Sequence, residues 1–320
     1  MRSLRIIFMG TPEFAVATLS ALIQNGLNVV AVVTVPDKPA GRGQKVTSSA
    51  VKTYAEEKQI PVLQPVKLRD PGFIEALKGY NADLFIVVAF RMLPEQVWKL
   101  PPLGTINLHA SLLPDYRGAA PINHVLINGE KKTGVTTFLI NEKIDTGNIL
   151  MREEVSIDPD DTAGTLHDRL MTKGSTLVIR TLQDLTNKSL VPKPQAIFLP
   201  EGTLPKEAPK IFPENCLIDW SKDIFQIKNL VRGLSPYPCA RTTIRSGDNN
   251  LILKIFDCKT IAQDHNLKPG SIETDGKDQI RIAAPGGFIE LTDLQLEGRK
   301  RMPVSDFLCG FRIQDFSATT

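Results

Sequence analysis

Two side chains lie close enough along the chain to act together. Asn107 and His109 stand two apart in Thr105-Ile106-Asn107-Leu108-His109, and in a strand that spacing puts both on one face. An amide N–H can donate to an oxygen that gains negative charge, and an imidazole can hold or move a proton near neutral pH. Acyl transfer uses both. A strand-end histidine bonded to the backbone has the same appearance, so spacing alone leaves two readings open. Asp145, in Ile144-Asp145-Thr146-Gly147, is the third candidate. Beside His109 its carboxylate would hold and orient the imidazole, whereas in isolation an aspartate ahead of a glycine is a turn former.

Two further segments have ligand-binding character. Arg117-Gly118-Ala119-Ala120-Pro121 is small enough for close backbone approach to a ligand, and equally suits a loop entering a helix. Pro39-Ala40-Gly41-Arg42-Gly43-Gln44-Lys45 is a cationic loop in which Arg42 and Lys45 can reach phosphates; a solvated surface loop is the plainer reading. Its G-x-G lacks the third glycine and is not the first strand–helix turn. A dinucleotide fingerprint is therefore not supported.

The elements that must position these residues read as a parallel α/β sheet. Strands are expected at Leu4–Met9, Val29–Val35, Asp83–Ala89 and Gly104–His109, with later, edge-type strands at Val135–Leu139 and Ile149–Ile157. Thr11-Pro12 should open a helix that stops near Gly26, and further helices are expected at Val51–Lys58, from Asp70-Pro71 to Gly79, at Pro121–Asn128 and at Asp161–Leu185. In an open sheet of this kind ligands bind at the carboxyl ends of strands, where His109 would sit. Prolines 192, 194, 200, 205, 209 and 213 make residues 189–213 an extended, stiff connection. Beyond it, Ser221 should cap a helix running to Arg232. Runs at Ala240–Arg245, Leu251–Cys258, Gln279–Ala284 and Phe288–Leu296, parted by Gly-rich turns, suggest a small barrel.

Composition bounds the remainder. With 42% apolar and 23% charged residues the 320-residue chain is expected to be globular and two-domain. No apolar run approaches the roughly 20 residues that span a bilayer, and the short apolar start ending at Gly10-Thr11-Pro12 reads as a strand rather than a signal peptide. A cytoplasmic location is the expectation. The net charge of +3 does not announce a nucleic-acid binder, so any such contact must come from local patches. Cys216, Cys239, Cys258 and Cys309 show no metal-ligand spacing, and reduced core residues are expected.

Taken together, Phe8-Met9-Gly10-Thr11-Pro12-Glu13-Phe14, Pro36-Asp37-Lys38-Pro39-Ala40-Gly41-Arg42-Gly43, Asn107-Leu108-His109-Ala110-Ser111-Leu112-Leu113-Pro114 with Arg117-Gly118, and Asp145-Thr146-Gly147 closely resemble the methionyl-tRNA formyltransferase family over essentially the whole chain. The resemblance implies a Rossmann-like formyltransferase domain at residues 1–188 and a linker at 189–209. At 210–320 it implies an OB-like barrel that helps hold tRNA. It implies 10-formyltetrahydrofolate as formyl donor, initiator methionyl-tRNA as acceptor, a monomer, and no metal. Asn107, His109 and Asp145 take the family's catalytic positions. Ser111, Leu112, Leu113 and Pro114 match its folate-binding stretch, Phe90 and Met92 lie where the pterin pocket should be bordered, and the loop carrying Arg42 and Lys45 matches the one that reaches the acceptor stem. One departure stands out: in Val88-Ala89-Phe90-Arg91-Met92-Leu93-Pro94, Arg91 occupies the place of a glycine common in the family and the run is a residue shorter. Two rival functions are an amino-sugar-nucleotide formyltransferase, which can share the two-domain plan, and a non-catalytic RNA-binding module on the same fold.

Overall fold

The computed structural model describes residues 4–40 and 45–319. By internal contacts the chain divides into two compact units. One comprises the residues up to Gly118, Thr133–Ser156 and His167–Glu207; the other comprises Ala119–Lys132, Ile157–Leu166 and the residues from Ala208 onward.

The first unit is organised by a seven-stranded sheet. Its strands are β1 (Arg5–Gly10), β2 (Asn28–Val33), β3 (Val62–Leu63), β4 (Leu84–Val88), β5 (Thr105–His109), β6 (Lys132–Leu139) and β7 (Ile149–Ser156). Their spatial order is β7-β6-β5-β4-β1-β2-β3. The first five strands are parallel, and β6 runs antiparallel to β5. The chain leaves β1 outward to β2 and β3, then returns to β4 on the other side of β1. This is the doubly wound, Rossmann-like order, in which ligands bind beyond the carboxyl ends of the strands at the switch point, here the ends of β1, β4 and β5.

Local chemistry accounts for these elements. The central strands are buried on both faces, as their Val, Ile and Phe runs require. Gly10 ends β1 because a Cβ there would come within 2.6 Å of Ala15 and 3.0 Å of the Val88 carbonyl, so only glycine lets the following helix Glu13–Gln24 start this close. That helix begins one residue later than expected: Pro12 is its N-cap and no side chain caps it. The helix Pro71–Gly79 starts as the sequence implies, with Asp70 accepting from the Phe73 N–H at 2.9 Å. Its Phe73 and Leu77 pack with Ile7, Met9, Phe85 and Val87, so these strand residues mark one face of the sheet. Asn107 pairs in register with Val87 and therefore shares that face, as does His109 two residues on. Leu108 points the other way. A Cβ on Gly174 of the long helix Ala163–Thr186 would sit 2.8 Å from it.

The second unit holds an antiparallel sheet of strands at Ala240–Ser246, Asn249–Ala262, Ile272–Thr274, Ile280–Ala284, Gly287–Leu296, Met302–Pro303 and Ser317–Thr319. The two ends of its strand path meet where Ser271 bridges Ser317 and the Ala318 N–H donates to Gly270 O at 2.8 Å. The sheet is thus a nearly closed barrel, which hides its edges. The helix Ile224–Leu234 closes it, with Ile224, Ile227 and Val231 in the same core as Leu253, Ile255, Ile282 and Leu294. Asp223, not Ser221, caps that helix, accepting from Phe225 and Gln226 at 2.8 and 3.0 Å. Ser221 instead donates to Asp219. The segment Pro121–Ile127 belongs with this unit because Gly233 lets the two helices touch; the Asn123 amide donates to the Gly233 carbonyl at 2.7 Å. All four cysteines are free thiols, and burial pushes those of Cys239 and Cys258 up to about 12.

Candidate active site

His109 ends β5 and is 7% exposed. Its Nε2 lies 2.8 Å from the Tyr116 carbonyl oxygen. A carbonyl only accepts, so Nε2 must carry the proton. Nδ1 is the nitrogen left for chemistry, and it faces Asp145 Oδ2 at 3.7 Å. That separation is too long for a direct hydrogen bond and leaves the Nδ1 lone pair or proton accessible beside the carboxylate. A backbone bond at Nε2 therefore does not preclude a functional role, because Nδ1 stays available for one.

Asp145 is placed by its turn and not by a regular element. It sits at φ 52°, the left-handed region that non-glycine residues seldom occupy. The Gly118 N–H donates to its Oδ2 at 2.9 Å. Gly147 lets the turn press onto β6, since a Cβ there would lie 1.6 Å from the Leu139 carbonyl oxygen. Asn141 Oδ1 ties down the turn's other flank, accepting from the Lys143 N–H and the Thr146 hydroxyl.

Asn107 is half-buried on the same face as His109. Among the described residues its side-chain amide makes no hydrogen bond. A half-buried donor left without a protein partner suits an external acceptor.

The loop after β5 is shaped from within. Ser111 is fully buried and donates to the Asp115 carbonyl at 2.6 Å. Thr136 donates to Ser111 O and accepts from the Leu113 N–H. Leu113 is fully buried against Phe138 and Ile149, Pro114 is buried behind a cis Leu113–Pro114 bond, and Leu112 rests over Gly134. Of these four, half-buried Leu112 is the residue nearest to solvent.

At the end of β4, Phe90 packs partly buried against the Phe85 and Val87 cluster, and Met92 is 75% exposed. Arg91 has a structural use: its guanidinium donates to the Pro65 and Val66 carbonyls at 2.6 and 3.0 Å and lies over the Phe90 ring. Burial lowers its pKa from the ordinary arginine value. It thereby ties the shortened segment to the loop after β3. Arg42 lies outside the described residues. Lys45 begins the strand Lys45–Thr47, which pairs antiparallel with Lys38–Ala40, and at the foot of this hairpin Asp37 is held by Lys52 at 2.5 Å and by Gln64 at 2.8 Å.

One residue at the site has no signal in the sequence. Gln195 is 5% exposed, and its Nε2 donates to the Asp145 and Gly147 carbonyls at 2.8 and 2.9 Å. It arrives through the proline-rich stretch, where Lys193 exchanges two 2.8 Å backbone bonds with Ile149 at the start of β7. The segment read as a spacer therefore also borders the site.

This chain belongs to the formyl transferase family: residues 4–182 match the model of the formyl transferase domain and residues 210–312 that of its C-terminal domain. Its relatives include methionyl-tRNA formyltransferases. That of Flavobacterium johnsoniae is 51% identical over 315 residues, covering 98% of both chains. That of Bacteroides thetaiotaomicron is 49% identical over 313 residues, covering 98% of this chain and 97% of the other. Among solved structures, the N-formyltransferase of Helicobacter canadensis in complex with folinic acid and dTDP-3-aminofucose has a TM-score of 0.64. It covers 93% of this chain and 100% of its own at 19% identity, which is a likeness of fold.

Proposed function

We propose that this protein transfers the formyl group of 10-formyltetrahydrofolate to the α-amino group of methionyl initiator tRNA. The observation that supports the reading is the approach of Asp145 to His109 at the carboxyl end of β5, with Asn107 two residues back on the same strand, in a chain about half identical, end to end, to methionyl-tRNA formyltransferases.

The donor supplies the formyl carbon. One proton leaves the attacking amine, and one joins the folate nitrogen that departs. The Asn107 amide donates to the formyl oxygen as it gains charge, a role for which its unshared N–H groups are free. His109, held by Tyr116 through Nε2, presents Nδ1 for a second hydrogen bond or a proton. Asp145 balances charge at Nδ1 and organises proton transfer, through water across the 3.7 Å gap. Proximity of the two substrates supplies a large further part of the barrier reduction.

The folate is assigned to the crevice bordered by Phe90, Met92 and the Ser111–Pro114 loop. Within that loop the buried Ser111, Leu113 and Pro114 set its shape. Arg42 and Lys45 are assigned to tRNA phosphates, with the barrel as a second contact. Operation as a cytoplasmic monomer is part of the same proposal. The test is transfer of labelled formyl from 10-formyltetrahydrofolate, offered in parallel to charged initiator tRNA and to an amino-sugar nucleotide. Label on the tRNA supports the reading, and label on the sugar alone overturns it.

A further inference from the structure

We infer that Gln195 is a positioning residue for the formyl-transfer reaction. In this reading Gln195 locks the Asp145 turn to the turn that holds His109, so that the proline-rich segment after the long helix completes the active site. The inference rests on the assignment of Asp145 and His109 made above.

The bonds form a ring. His109 Nε2 donates to Tyr116 O. The next residue, Arg117, donates through Nε and Nη2 to Gln195 Oε1 at 3.1 and 2.6 Å. Gln195 Nε2 donates to the carbonyls of Asp145 and Gly147, and the Gly118 N–H donates to Asp145 Oδ2, which faces His109 Nδ1. Every hydrogen-bonding group of the Gln195 amide is therefore engaged: both N–H bonds go to one turn, and the oxygen takes both donors from the other. A buried amide satisfied in this way is rigid, because any movement leaves a group unpaired.

The two turns need such a tie. Asp145 sits in the left-handed backbone region that non-glycine residues seldom occupy, in a turn between two strands and outside any backbone ladder. Glutamine has the required length and chemistry. Glutamate would set a carboxylate against two carbonyl oxygens, asparagine is one methylene short, and alanine leaves Arg117 and both carbonyls without their partner. Lys193, bonded to Ile149, fixes the approach of Gln195 from behind.

The experiment is a double-mutant cycle in the full-length enzyme, read as kcat and KM for 10-formyltetrahydrofolate and charged initiator tRNA. Gln195→Ala should lower kcat about 10–100-fold, the usual cost of losing an outer-shell orienting partner or about 1 Å of alignment, and leave both KM values unchanged. In the Asp145→Asn background the same substitution should cost almost nothing, because the group it positions has already lost its charge. An equal loss in both backgrounds, or a loss expressed in KM, overturns the positioning role. Full activity in Asp145→Asn itself would instead overturn the assignment of Asp145, a separate failure. Should Gln195→Ala not fold, Arg117→Lys provides the second arm. It keeps the charge and loses the fork, and it should lower kcat alone; unchanged kcat there overturns the proposal.

Discussion

Replacing Asn107 by alanine separates chemistry from folding better than any other change at this site. The side chain is half-buried and makes no hydrogen bond among the described residues, so its removal strands no protein partner. A substitution of that kind shifts stability by about 0.5 kcal/mol or less, on the order of 1–2 °C in Tm for a domain of this size. Loss of one oxyanion donor costs about 10²–10³ in rate, or about 2.7–4 kcal/mol of transition-state stabilisation. Formyl transfer to charged initiator tRNA should therefore fall by that factor in kcat, with the melting curve nearly superimposed on that of the wild type. His109→Ala is a less clean change. It empties a buried site and removes the His109 hydrogen bond to the Tyr116 carbonyl, a loss of about 0.5–1.5 kcal/mol on its own. Wild-type turnover by purified, folded Asn107→Ala would refute the reasoning, because the oxyanion role is assigned to this amide.

Three further outcomes are expected. Arg42→Ala should raise KM for charged tRNA and leave KM for the folate alone, checked by steady-state kinetics with each substrate varied in turn. Gly147→Ala should impair both folding and turnover, because the added Cβ would lie 1.6 Å from the Leu139 carbonyl oxygen and displace the Asp145 turn; a fully active, equally stable variant would contradict the packing described. In the barrel, the backbone N–H groups of Lys277, Gln279 and Asp278 hold the Asp275 carboxyl down from 3.8 to about 2. Its folded pKa lies below the unfolded one, so its contribution is present above the ordinary carboxylate range and is lost as pH falls toward 2. Acid unfolding of Asp275→Asn should be less steep over that window.

Much of the sheet was legible because its signals are local. Valine and isoleucine runs place strands, Asp70-Pro71 opens a helix, and the alternation at Asn107 and His109 places both on one face, as the register with Val87 requires. The sequence could not say which of two oxygens caps a helix. Ser221 and Asp223 are both competent, and the choice fell to Asp223 because Asp219 engages Ser221. Short strands at Ile272–Thr274 and Ser317–Thr319 left no periodicity to read, although barrel closure depends on them. Arg91 looked like a departure and is a tie, since its carbonyl partners lie 25 and 26 residues away. Gln195 was illegible for the same reason on a larger scale: its partners are 48 to 78 residues away, and its own neighbourhood has the composition of a spacer.

The central claim is that Asn107, His109 and Asp145 serve formyl transfer to a charged tRNA, and one measurement tests it most directly. Purified protein is given labelled 10-formyltetrahydrofolate with methionyl initiator tRNA, and methionyl elongator tRNA and an amino-sugar nucleotide serve as parallel acceptors. The account predicts label on the methionine of the initiator tRNA and none on the sugar. Formylated sugar with untouched tRNA, or tRNA bound with no formyl moved, would contradict it.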